Sequence, residues 1–202
     1  MRGHARAWTI ILVILAVELV PFIFNFALSP PGIAAKLYGF DAAHWPAWMA
    51  ALVITAAYVA YAARAFPLIR EKFFTLNSMK LVAIIFAIVT GTVEELYFRK
   101  FLMDWAAHHG LAAAAQIGIS AVVFGVAHGV WGVFAKQWRM AIGATVATGI
   151  LGLLLALVYL AAGRHVAPCI WAHMLINLAI EPWLILAAAS NGSPVRPRTV
   201  IA

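Results

Sequence analysis

The chain has 202 residues, of which 65% are hydrophobic and only 10% charged. A soluble domain carries about 25% charged residues, so the composition excludes a water-soluble globular protein and points to an all-α, polytopic transmembrane helical bundle. The net charge of +7 is spread over short segments between apolar runs, without a basic face interleaved with aromatics, which excludes a nucleic-acid partner. The single cysteine, Cys169, excludes an intrachain disulfide and any paired-cysteine metal site, and reads as a small buried hydrophobe.

Six apolar runs are each long enough to cross a bilayer. The first, 8–28, follows Arg2 and Arg6. It is too long for a signal peptide, carries Glu18 and lacks a small-residue cleavage site, so it is expected to be a retained span. Ser29-Pro30-Pro31-Gly32 ends it. The second, 45–66, enters through Trp45 and Trp48, residues suited to an interfacial belt. The third, 79–102, continues with mixed polarity to His109, and Gly110 reads as the turn. The fourth, 111–134, is closed by Lys136 and Arg139, and the fifth, 141–162, is rich in Gly and Ala, which suits close helix packing. After the turn Gly163-Arg164-His165, the sixth, 168–189, starts on Pro168, and Glu181-Pro182 within it reads as a kink. The expected organisation is one integral-membrane domain over 1–190 and a polar, flexible tail over 191–202.

Six spans put both termini on one side. That side carries Arg2, Arg6, Arg64, Arg70, Lys72, Lys80, Lys136, Arg139, Arg196 and Arg198, against Lys36, Arg99, Lys100 and Arg164 on the other. The positive-inside rule makes the richer side cytoplasmic.

The third run contains Glu94-Glu95-Leu96-Tyr97-Phe98-Arg99. Each charge at membrane depth costs roughly 2.5–3.5 kcal/mol on insertion scales, which makes such residues functional candidates by default. Glu95 and Arg99 share a helix face at i, i+4, whereas Glu94 points about 100° away. The two carboxylates can therefore do different jobs. His128 lies in the fourth run and His173 in the sixth, with Asn177 one turn beyond His173 on the same face. Folded about Gly110, the third and fourth runs bring Glu94 and His128 to within about 3 Å of the same level. His173 starts only about 12 Å from its own turn, against about 24 Å for Glu94. The three groups can meet only if the third and fourth helices project beyond the sixth, or tilt.

Glu-Glu-x-x-x-Arg on one span, Phe124-x-x-x-His128 on a later one and His173-x-x-x-Asn177 on a third resemble the three signature motifs of the CPBP family, which includes type II CAAX prenyl endopeptidases and bacteriocin-processing or immunity proteins. The resemblance covers about residues 90–180 and implies a glutamic-type intramembrane endopeptidase in a prokaryotic plasma membrane, with a membrane-anchored protein or peptide as substrate. A carboxylate withdrawn from water becomes a competent base near neutral pH. Glu94 is accordingly expected to deprotonate a water that His128 helps to hold. His173 and Asn177 would donate to the oxyanion, and Glu95 with Arg99 would form a supporting buried pair.

No cofactor is expected. The alternative is zinc held by Glu94, His128 and His173, although the sequence contains no HExxH helix. A non-enzymatic immunity protein would be expected to have lost a motif residue, and a transporter to show inverted repeats; neither feature is present. On the cytoplasmic-termini topology the site lies nearer the outer face. The expected substrate is therefore an exported protein with a C-terminal sorting tag, with CAAX-type or bacteriocin-leader processing as the alternative.

Overall fold

The computed structural model describes residues 2–27, 32–130 and 138–190. All described regular structure is helical: α1 (Arg2–Ala27), α2 (Ile33–Tyr38), α3 (Trp45–Ala65), α4 (Pro67–Lys72), α5 (Ser78–Glu95), a π-helical segment (Leu96–Phe101), α6 (Leu102–His108), α7 (Ala113–His128), α8 (Trp138–Ala161) and α9 (Ala167–Ala189). Five stretches are long and apolar enough to cross a membrane: Gly3–Phe26, Ile33–Ala65, Ser78–His108, Ala141–Ala161 and Ala167–Ala189. Ala113–His128 is a shorter apolar helix, so about six spans is the architecture. The protein is an integral membrane protein, and the large apolar side chains exposed on α1, α3 and α8 face acyl chains. The breaker at 29–31, the end of the fourth run at 134, Lys136 and the tail 191–202 lie outside the described residues.

Local chemistry sets the ends. Asn77 caps α5, its side chain accepting from the Lys80 amide. Pro46 and Pro168 occupy first turns, where no intrahelical donor is lost. Gly110 supplies the left-handed turn after α6 with φ 77°. At the other hairpin Arg164 itself adopts φ 67°, a conformation that costs a non-glycine residue roughly 1–2 kcal/mol. Its guanidinium holds the turn: Nη1 donates to Asp104 Oδ1 and Nη2 to Gln116 Oε1, both at 2.6 Å. The Tyr159 hydroxyl donates to the same Asp104 oxygen at 2.8 Å.

This knot aligns the α8–α9 turn with residue 104 rather than with Gly110. The α5–α7 hairpin therefore projects beyond the α8–α9 hairpin, as the sequence geometry requires. Glu94 is then ten residues below Asp104 and His173 nine residues below Arg164, so the two sit at one depth.

α9 is the central helix. It packs against α5, α3, α1 and α8, while α7 pairs with α8. A Cβ added to Gly91 would lie 3.1 Å from the Met174 amide nitrogen, so glycine there lets α5 and α9 approach one turn before Glu94. The α7–α8 contact is tighter still: a Cβ on Gly125 would meet the Thr145 carbonyl oxygen at 2.5 Å. Pro182 sits inside α9. It cannot donate to the Leu178 carbonyl, and Lys80 Nζ donates to that oxygen instead.

Two cations of the charge count need correction. Lys80, counted among the loop cations, reaches into the bundle to serve α9. Arg99, counted on the outer side, is fully buried in the pair with Glu95 that its spacing predicts. The segment between the first two spans contains α2, which is docked on the bundle: Tyr38 Oη is 2.9 Å from Thr92 Oγ1, and Trp171 Nε1 donates to the Tyr38 carbonyl at 2.9 Å.

Candidate active site

α5, α7 and α9 bring the polar side chains of the three motifs together. Glu94 Oε2 lies 3.4 Å from His128 Nε2 and 3.8 Å from His173 Nε2, and it forms no aligned hydrogen bond to either ring. The other nitrogen of each ring is occupied. His128 Nδ1 is 2.9 Å from the Phe124 carbonyl oxygen, which can only accept, so Nδ1 carries the proton. His173 Nδ1 is 2.7 Å from Glu95 Oε1. Both rings are thus oriented from behind, with Nε2 turned to Glu94. This is the way an outer partner sets a histidine's tautomer and direction.

Glu95 does more than the sequence discloses. It is fully buried, holds His173 through Oε1, and places Oε2 3.0 Å from Arg99 Nε in an ion pair without hydrogen-bond alignment. Arg99 Nη2 donates to the Gly152 carbonyl at 3.3 Å, and its guanidinium lies 4.5 Å from the Phe124 ring centroid. Phe124 in turn sits 4.4 Å from the His128 ring and 5.6 Å, edge-on, from the His173 ring. The chain Gly152–Arg99–Glu95–His173 therefore ties α8, α5 and α9 into one unit. The helix opens into π geometry immediately after Glu95, with the Leu102 amide bonding to the Tyr97 carbonyl. Wide turns of this kind recur at functional sites. Ser120 Oγ of α7 donates to the Phe98 carbonyl within this segment at 3.1 Å.

Asn177 is buried, and its Nδ2 donates to Thr90 Oγ1 at 3.1 Å. Thr90 can accept because its own proton goes to the Phe86 carbonyl at 2.9 Å. One amide proton and the Oδ1 of Asn177 remain for a ligand.

A cavity of about 370 Å³ runs along this group between α3, α8 and α9. His128, His173, Asn177 and Phe124 line one end, and the Glu94 carboxylate lies within 4 Å of both imidazoles. Phe66, Arg139 and Ala188 form the other end. That second end is the face of the bundle where α3 stops, α8 starts and Arg64 lies nearby. It is the face richer in Lys and Arg. The nearer face is covered by α2 and the Arg164 knot.

Every sequence-predicted site residue takes part in this arrangement: Glu94, His128 and His173 converge, Asn177 adjoins them, and Glu95 and Arg99 brace them. Glu18 on α1 is half-buried, with Oε2 lacking a hydrogen-bond partner among the described residues. Cys169 is buried, and its Sγ donates to the Leu155 carbonyl at 3.3 Å.

A family model for type II CAAX prenyl endopeptidase Rce1-like proteins matches residues 76–179. This interval is just over half of the 202 residues and holds all three motifs. The chain belongs to this family. No curated protein and no solved structure matches it. The Rce1-like family is one of membrane proteases, which supports peptide-bond hydrolysis on a protein or peptide substrate in the lipid bilayer.

Proposed function

We propose that the protein is a glutamic-type intramembrane endopeptidase that cleaves a membrane-associated protein near its C-terminus with a water activated by Glu94. The observation that carries this reading is the approach of Glu94 Oε2 to two imidazole Nε2 atoms, 3.4 and 3.8 Å away, with both imidazoles lining an apolar cavity. A water bonded to Glu94 and to His128 Nε2 loses its proton to Glu94 as its oxygen attacks the scissile carbonyl carbon. The carbonyl oxygen becomes an oxyanion, which accepts from Asn177 Nδ2 and from His173 in its doubly protonated form. The C–N bond then breaks as the proton held by Glu94 passes to the leaving amine, giving a carboxylic acid and an amine; the acid then passes its proton to the amine or to water. Donors of this kind are worth about 10²–10³ in rate. Glu95 and Arg99 are positioning residues that aim His173.

The direction of the cavity favours a substrate presented from the basic face, which the positive-inside rule makes cytoplasmic. That approach suits CAAX-type tails or peptide leaders. An exported sorting tag would have to reach the site past α2.

In proteoliposomes, Glu94→Gln is expected to lower cleavage by about 10²–10⁴ with unchanged expression and oligomeric profile. Cleavage at the wild-type rate would remove Glu94 from the mechanism. Two imidazoles and a carboxylate are also a donor set that zinc accepts, although no group of three such side chains among the described residues is arranged to hold a metal ion. The proposed mechanism requires full activity after exhaustive treatment with a tight chelator. Loss of activity on chelation, with restoration by zinc, would replace it with the metalloprotease alternative.

A further inference from the structure

The mechanism above leaves one buried carboxylate in the cavity unused. Glu181 on α9 is 7% exposed, lines the cavity, and has an Oε2 with no hydrogen-bond partner among the described residues. An ionised carboxylate in an apolar wall is costly unless a cation or several donors meet it. The described cavity wall offers Glu181 no cation within pairing distance; Arg139 lines the far end, and no ion pair to Glu181 forms among the described residues. The same cavity is also lined by Ile180 and Leu184 of α9, Tyr58 and Tyr61 of α3, and Ala147 of α8.

Its position relative to the reacting groups is fixed by helix geometry. His173, Asn177 and Glu181 follow one another at i, i+4 and i+8 on α9, which places Glu181 about 12 Å along the axis from His173. The offset runs along the cavity from His173 towards Arg139 and Ala188 at its basic end. A peptide laid in extended form along the cavity advances about 3.3 Å per residue, so Glu181 meets the residue three or four positions from the scissile bond.

Resting on the protease reading, we propose that Glu181 is a specificity residue: it accepts a Lys or Arg side chain of the substrate, three or four residues from the cleaved bond, on the stretch of peptide that leads to the basic face of the membrane. The long apolar stem of such a side chain packs against Tyr58 and Leu184, while its charged end reaches the carboxylate. The pairing offsets two desolvation costs at once, because the substrate cation and Glu181 are each unfavourable alone in the cavity. The bundle thereby selects a basic residue at one register and so fixes which bond lies under Glu94.

The test uses full-length protein in liposomes and a membrane-anchored peptide library randomised over six positions on each side of a central apolar segment, with products read by mass spectrometry. Wild-type protein is expected to enrich Lys or Arg three or four residues from the cut by about tenfold or more over Met, the scale of a charge-assisted hydrogen bond. In Glu181→Gln that ratio is expected to fall to about one while the cleaved bond becomes less uniform. Cleavage without a basic preference at those positions would overturn the inference and leave the protease reading standing, and the wild-type library alone decides this if the variant does not fold. A preference retained in Glu181→Gln would overturn it equally. Absence of any product from folded wild-type protein, with Glu94→Gln indistinguishable, would instead sink the protease reading on which the inference rests.

Discussion

Two helix contacts hold the site, and they are built differently. The α5–α9 contact is polar: Glu95 bridges Arg99 and His173, and Thr90 receives Asn177, all at a few per cent exposure or less. The α7–α8 contact is a backbone approach made possible by Gly125, with no side-chain hydrogen bond between the two helices among the described residues. The polar seam sets the direction of the functional groups, since each hydrogen bond has one geometry. The glycine contact sets how closely α7, which carries His128, lies against α8. In a bilayer there is little hydrophobic drive between helices, so packing and hydrogen bonds share the task.

Each contact can be weakened on its own. Glu95→Gln attacks the seam. It leaves Arg99 buried beside a neutral group, and one-sided loss from a buried pair costs about 3–5 kcal/mol. A large fall in the detergent melting temperature is expected, together with a loss of about 10–100-fold in cleavage rate as His173 loses its orienting partner. An unchanged melt would mean that Glu95 and Arg99 are not paired as described. Gly125→Val attacks the packing. The new side chain meets the Thr145 carbonyl, and overpacking of this kind costs about 1–3 kcal/mol. The expected result is a smaller drop in melting temperature and a rate loss through displacement of His128. Gly125→Ala should lie between Val and wild type, and an equal effect of Ala and Val would argue against a distance-setting role. Asp104→Asn touches neither contact. Asp104 is about one-third exposed in its pairs with Lys100 and Arg164, so about 1 kcal/mol or less is expected, with cleavage within about twofold of wild type. A loss of activity as large as that of Glu95→Gln would show that the outer knot sets the depth of the site far more strongly than its partial exposure suggests.

The residues of the site were readable because charge and imidazole at membrane depth stand out against apolar runs, and because i, i+4 spacing assigns faces without knowledge of the fold. The level mismatch between Glu94 and His173 was also readable, and it called for the projection that the Arg164 knot produces. The pairing of Glu95 with His173 was not readable: the partners are 78 positions apart, and Arg99 at i+4 offered a complete local explanation. The π turn after Glu95 has no residue signature, since Leu96 to Phe101 would serve equally well in an ordinary helix. α2 is six residues long, too short for periodicity to reveal. The direction of the cavity depends on which helices leave space between them, a property of the packed bundle that no single span encodes.

The central claim is that Glu94 and His128, on different helices, act on one water. A double-mutant cycle in proteoliposomes tests it most directly, with cleavage rates measured for wild type, Glu94→Gln, His128→Ala and the pair. Residues that act as a unit are grossly non-additive. The double variant is expected to be about as slow as Glu94→Gln alone; rate losses that multiply would mean that the two residues do not act on one water.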